Sequence, residues 1–172
     1  APDIVAGPFA NPEVSRRAES VTIQAYASRL SVRPGDTLQV AVVIDIDDGW
    51  HLYGENPDAD FLIPTSVTIE TGGPFVPAGF SAPPAHKAMD PLLNRTVNTY
   101  TGRIRFLAPV SVQANAEAGA ATLTLDVHTQ ACDASRCLQP QTTTVRIPIQ
   151  IDPAAPVESR HPGIFTPMVF PR

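Results

Sequence analysis

Apolar and polar positions alternate along much of the chain with a period of two, which belongs to strands rather than helices. "VTIQAYA" (21–27) alternates from its first residue, and "DTLQVAVVIDI" (36–46) sets Leu38, Val40, Val42 and Ile44 on one face. Between them "VRPGD" (32–36) carries proline then glycine, the order a type II turn prefers. "DDGW" (47–50) is a second turn signal and leads into "HLY". "SVTIET" (66–71) predicts a strand ending at Gly72-Gly73-Pro74. "TGRIRFLAPVSVQ" (101–113) alternates again, with Ile104 and Phe106 on one face. "ATLTLDVHT" (121–129) directs Leu123, Leu125 and Val127 inward, and "TTVRIPIQI" (143–151) does the same with Val145, Ile147, Ile149 and Ile151. Pro148 falls on the outward face of the last strand; lacking an N–H, it belongs to an edge or a bulge.

Three stretches lack this rhythm. Residues 1–18 read as an irregular arm with one helical turn after Asn11-Pro12. Residues 80–100 contain three prolines and no clean period, which predicts mostly loop. Residues 152–172 read as a proline-rich tail or linker, although "GIFTPMVF" is apolar enough to dock on something. The expected organisation is therefore an arm (1–18), one domain (19–151) and a tail (152–172). Many short strands between turns predict an all-β chain, an antiparallel β-sandwich of immunoglobulin-like arrangement. The buried Trp and inter-sheet disulfide of antibody domains are not part of this pattern, because the cysteines stand too close in sequence for that role.

Composition sharpens the picture in three ways. Nineteen prolines and ten glycines in 172 residues disfavour long helices. A chain of this length buries roughly 70% of its unfolded surface, so its core suffices without crosslinks. The net charge of −5 and pI near 5.2 argue against nucleic acid or an anionic membrane as the main partner. No apolar run reaches the ~18 residues of a membrane span. The start, "APDIVAG", is what cleavage of a leader behind a small residue would leave.

The chemistry concentrates in "HTQACDASRCLQPQ", which holds both cysteines of the chain, Cys132 and Cys137. They flank a short loop between the last two clear strands, and opposed strand residues come close enough for a disulfide. The pair suits an oxidising compartment. Three readings stay open on the residues alone. A staple across so short a loop would stabilise by about 2 kcal/mol or less. A copper or zinc site would use His128, Cys132 and Cys137, three ligands where structural zinc wants four, and His128 falls on an outward strand face. A thiol–disulfide exchange centre needs an accessible sulfur, which a loop tip supplies. Asp133 beside Cys132 opposes thiolate formation, and Arg136 beside Cys137 favours it, so Cys137 is expected to be the more reactive thiol.

"TQACDASRCLQPQT" resembles the cysteine hairpin of the N-terminal periplasmic domain of the DsbD family of thiol–disulfide interchange proteins. "DGWHLYGENP" resembles that family's Asp-Gly-aromatic-x-Leu-Tyr segment, and "YTGRIRFLAPVSVQANAEAGAATLTLDV" its pair of strands joined by an Ala/Gly loop. The resemblance runs over roughly residues 20–151.

It implies an immunoglobulin-like redox domain whose catalytic residues, Cys132 and Cys137, cycle between dithiol and disulfide with no cofactor and no metal. Cys137 would form the mixed disulfide with partners and Cys132 would resolve it. The implied electron donor is a thioredoxin-like C-terminal domain of the same protein, fed by a membrane-embedded domain. The implied acceptors are periplasmic disulfide isomerases and the thioredoxin-like proteins of cytochrome c maturation. The chain would then be a fragment, with residues from Asp152 leading toward the membrane domain of an inner-membrane protein. A suppressor-of-copper-sensitivity membrane reductase carries similar domains. The family's cap loop over the cysteines corresponds to "MDPLLNR" (89–95), with Asp90, Pro91, Leu92 and Leu93 at its centre and Leu93 or Leu92 where the family often has an aromatic. His51 and Tyr53 match aromatic positions beside the cysteines, His51 replacing an aromatic.

Overall fold

A computed structural model of the chain describes residues 9–55 and 61–165. In chain order the strands are β1 (Val14–Ala18), β2 (Val21–Ala27), β3 (Ser31–Val32), β4 (Thr37–Ile46), β5 (Leu52–Tyr53), β6 (Ser66–Ile69), β7 (Phe75–Pro77), β8 (His86–Asp90), β9 (Arg95–Tyr100), β10 (Arg103–Val112), β11 (Gly119–Thr129) and β12 (Gln141–Ile151). One helical turn, α1 (Pro162–Phe165), follows.

Two sheets form the expected sandwich. One has the order β1-β2-β4-β10-β7 and the other β3-β12-β11-β6. All their pairings are antiparallel except the short β12–β3 contact. The alternation explains the layers. Ile23, Ala25, Leu38, Val40, Val42, Ile44, Phe106 and Val110 point from the first sheet, and Leu123, Leu125, Val127, Val145, Ile147 and Ile149 from the second, into one buried core. Both turns read from glycine are present: Gly35 (φ 87°) and Gly49 (φ 84°) take the left-handed conformation that glycine adopts without steric cost. Pro148 pairs with Thr122 on β11, and its other side has no ladder partner, since β3 reaches only Gln150 and Ile151.

The irregular stretches differ from expectation. The helical turn after Asn11-Pro12 is absent: Val14–Ala18 is a strand that extends the first sheet by pairing with β2. Only two of its residues are even half-buried, so it shows little apolar alternation. The stretch read as a proline-rich tail folds back as far as Phe165. Ile164 is fully buried against Tyr26, Ala41 and Val43 on the outer face of the first sheet, beside Phe9 and Phe165. This cover explains why "AVV" in β4 is buried on both faces. Glu13 joins the two ends, accepting from Arg160 Nη2 at 2.8 Å and pairing with His161 Nε2 at 2.8 Å. The apolar segment 166–170 and residues 1–8 lie outside the described residues.

The largest correction concerns residues 80–100. They are not mostly loop: β8 and β9 form a hairpin, and β9 pairs on its other side with β5, giving a third sheet of order β5-β9-β8. Lys87, Met89, Arg95 and Thr96 are exposed on this hairpin, so the core-seeking pattern that betrays other strands is missing. The hairpin sits tightly on the chain after β5. Gly54 donates its N–H to Asn98 O at 3.0 Å, and a Cβ at Gly54 would lie 2.5 Å from Ala85 Cβ. Gly54→Ala is expected to destabilise the domain by about 1–3 kcal/mol through overpacking, read as a lowered midpoint in urea unfolding, with the β8–β9 amides losing exchange protection first.

Candidate functional site

The two cysteines lie in the connection between β11 and β12, residues 130–140, and not at the strand ends themselves. They are bonded, with sulfurs 2.05 Å apart. Leu138 N donates to Ala131 O at 2.8 Å and Asp133 N to Arg136 O at 2.9 Å. Cys132 and Cys137 therefore face each other at a non-hydrogen-bonded position, where opposed Cα atoms approach most closely; here they are 4.0 Å apart.

On its other side Cys132 pairs with His51 through both backbone bonds, His51 N to Cys132 O at 2.9 Å and Cys132 N to His51 O at 3.1 Å. Cys132 is thus the middle member of a row His51–Cys132–Cys137, whose side chains share one face. The sulfurs differ sharply in access. Cys132 is fully buried, in a cluster with Tyr53, Leu62 and Val97 against which Leu93 packs. Cys137 is exposed. The expectation of an open loop tip holds for one sulfur only.

Asp133 caps the loop between the cysteines. Its Oδ1 accepts from Ser135 N and Arg136 N, each at 2.8 Å, and from Ser135 Oγ at 3.1 Å. These bonds hold its carboxyl below the ordinary carboxylate range. Arg136 reaches Asp133 at 3.8 Å and lies 5.5 Å from the centre of the Trp50 ring. Asp133 and Arg136 are consequently paired with each other across the loop tip.

The β8–β9 turn packs beside the site through Leu93. Asp90, buried at its start, accepts from Leu92 N at 2.9 Å and Leu93 N at 3.2 Å through Oδ1. Its Oδ2 accepts from Tyr53 Oη at 2.7 Å and meets His51 Nε2 at 3.1 Å. Asn94 N closes the turn on Asp90 O at 2.7 Å, with Asn94 itself at φ 52°. Burial raises the Asp90 pKa, but the bonds from Tyr53, Leu93, His51 and Leu92 outweigh it and hold the carboxyl below its usual range. Burial and the neighbouring carboxylate push the Tyr53 phenol upward, so it remains a donor.

Of the residues singled out in sequence, Cys132, His51, Tyr53, Asp90 and Leu93 come together. Leu92 is exposed, and Asp133 and Arg136 occupy the loop rim. His128 stands apart, bonded to Thr142 Oγ1 at 3.0 Å and Thr68 Oγ1 at 3.4 Å on the outer sheet face. No group of three or more metal-ligating side chains occurs among the described residues. Leu62 and Val97 were missed; Val97 lay in the stretch read as loop, and only its alternation with Thr99 signalled a strand.

The site is thus a disulfide between one buried and one exposed cysteine on an immunoglobulin-like sandwich. The chain belongs to the family of N-terminal domains of the thiol:disulfide interchange protein DsbD, whose family model matches residues 19–149. Among solved structures it is similar to the N-terminal periplasmic domain of ScsB from Proteus mirabilis, at 11% identity and a TM-score of 0.51. That match covers 80% of this chain and 50% of the other, so the chain spans about half of that domain. It is also similar to the N-terminal domain of Neisseria meningitidis DsbD in its reduced form, at 15% identity and a TM-score of 0.44, over 73% of this chain and 88% of the other. No individual curated protein matches the sequence. No helix among the described residues is long and apolar enough to cross a membrane.

The depressed Asp90 pKa sets a pH dependence. A carboxyl lowered on folding contributes stability above its unfolded pKa, about 3.9, and loses it as pH falls through the lower folded value. The protection factors of the Leu92 and Leu93 amides, corrected for the intrinsic pH dependence of exchange, should therefore fall in acid below that range and stay high at pH 6. Asp90→Asn, which sets an amide N–H₂ among donors, should cost about 1–3 kcal/mol at neutral pH, measured by chemical denaturation.

Proposed function

We propose that this chain is a periplasmic redox domain that passes electron pairs to partner proteins by direct disulfide exchange through Cys132 and Cys137. The observation that carries the reading is the unequal access of the two sulfurs beneath the β8–β9 turn. An attacking thiolate must approach along the axis of the sulfur–sulfur bond, and only Cys137 offers an open sulfur. Cys137 then carries the mixed disulfide and Cys132 resolves it.

The electron source is a thioredoxin-like domain, in this family the C-terminal domain of the same protein. The acceptors are periplasmic disulfide isomerases or thioredoxin-like proteins. The chain functions as one part of an inner-membrane protein. The cap turn, Asp90 to Leu93, shields the buried sulfur between encounters, with Leu93 in the covering position and Arg136 at the rim favouring thiolate at Cys137.

Trapping tests the relay. With Cys132→Ser, Cys137 should accumulate a stable mixed disulfide with periplasmic thioredoxin-fold proteins, recovered by non-reducing electrophoresis and mass spectrometry. A Cys132→Ser chain that forms no such adduct, together with a wild-type reduction potential well below about −300 mV, would show an inert staple. The cap has its own readout: Leu93→Ala should speed reduction of the bond by dithiothreitol several-fold with little change in overall fold. An unchanged rate would remove Leu93 from the shield.

A further inference from the structure

The resolving step raises a proton problem that the open sulfur does not share. Cys132 is fully buried among apolar side chains, surroundings that disfavour a thiolate. Yet Cys132 must lose its proton to attack Cys137. Resting on the redox reading above, we propose that His51 is the base that takes this proton, acting through its Nδ1 with Asp90 behind it.

The hydrogen-bond pattern assigns the tautomer. Tyr53 has one hydroxyl proton, and it goes to Asp90 Oδ2 at 2.7 Å. Asp90 is held as a carboxylate by its four donors and only accepts. His51 Nε2 lies 3.1 Å from both Asp90 Oδ2 and Tyr53 Oη, two oxygens with no proton left to give it. Nε2 must therefore be the protonated nitrogen. In the neutral ring the lone pair is then on Nδ1, which makes no hydrogen bond among the described residues.

The backbone sets the imidazole and the buried cysteine side by side. His51 and Cys132 are a hydrogen-bonded pair in one antiparallel ladder, so their side chains leave the same face about 4.5–5.5 Å apart at Cβ. A nucleophilic sulfur, an imidazole and an orienting carboxylate then stand in series, the order that activates nucleophiles generally. Of the charged groups on the flanking turns, Asp133 is engaged with Arg136 and its own loop, Asp47 is engaged with Arg17, and Asp48 is exposed to solvent.

The step balances as follows. The Cys132 S–H bond breaks and its proton moves to His51 Nδ1. The sulfur electron pair forms the Cys132–Cys137 bond as the bond from Cys137 to the partner sulfur breaks. That bonding pair leaves on the partner's thiolate, so the domain is oxidised by two electrons and the partner reduced by two. Asp90 stabilises the transient imidazolium through Nε2–H, and the proton then passes to the released thiolate or to water.

The test follows single-turnover oxidation of the fully reduced 172-residue chain by glutathione disulfide, acid-quenched and resolved by mass. Glutathione first joins Cys137 and is then expelled by Cys132. His51→Gln keeps an N–H donor for Asp90 and Tyr53 but has no titratable lone pair. We expect unchanged glutathionylation and a resolution step slowed about 10²-fold at pH 7. The deficit should shrink toward pH 9.5 as Cys132 ionises by itself. Equal resolution rates at pH 7 would overturn the proposal, and so would a deficit constant across pH, which marks a purely structural role. If the wild-type chain is not oxidised to the Cys132–Cys137 disulfide and Cys132→Ser takes up no glutathione at Cys137, the redox reading itself fails, and this proposal with it.

Discussion

A carboxylate removed from water stands only where donors fill its lone pairs. Asp90 meets that requirement with two backbone N–H groups from its own turn and two side chains from the strand beneath, Tyr53 and His51. The two side-chain bonds join segments nearly forty residues apart, and the two backbone bonds close the turn itself. Leu93 packs against the cluster that holds Cys132 because Asp90 holds the turn that carries it. The turn is thus polar at its base and apolar at its contact.

The sandwich supplies the rigid ground for this arrangement. The connection carrying the cysteines springs from β11 and β12, the longest strand pair of the molecule, which runs in register from Gly119–Ile151 to Thr129–Gln141. The His51 strand is pinned between that connection and the β8–β9 hairpin. Three peptide segments distant in sequence therefore converge at one end of the sandwich, each held by backbone bonds rather than by side-chain contacts alone. Such a frame leaves Cys137 exposed while Cys132 stays buried.

Much of this was legible in the sequence. Period-two alternation marks β2, β4, β10, β11 and β12 because each shows one face to a common core. The cysteine hairpin was legible from two residues and their spacing, and the His51–Tyr53 segment from its resemblance to a family. The cap hairpin was not, because β8 and β9 lie on the body edge with exposed side chains on both faces, and Pro83, Pro84 and Pro91 read as breakers. The Asp90 hub stayed hidden for a different reason: its partners come from another strand, and no local pattern encodes a hydrogen bond across that distance.

The meeting of the chain's two ends on the outer face of the first sheet bears on how the molecule avoids its neighbours. Tyr26, Ala41 and Val43 form a smooth apolar strip covered by Phe9 from one end and Ile164 from the other, and Glu13 buckles the two together. Without that cover the strip would offer itself to any similar surface, the liability that leads β-proteins to stick and precipitate. Phe9, Glu13 and residues 160–165 act as a sleeve, and the clasp at Glu13 keeps that strip from becoming an exposed sticky face.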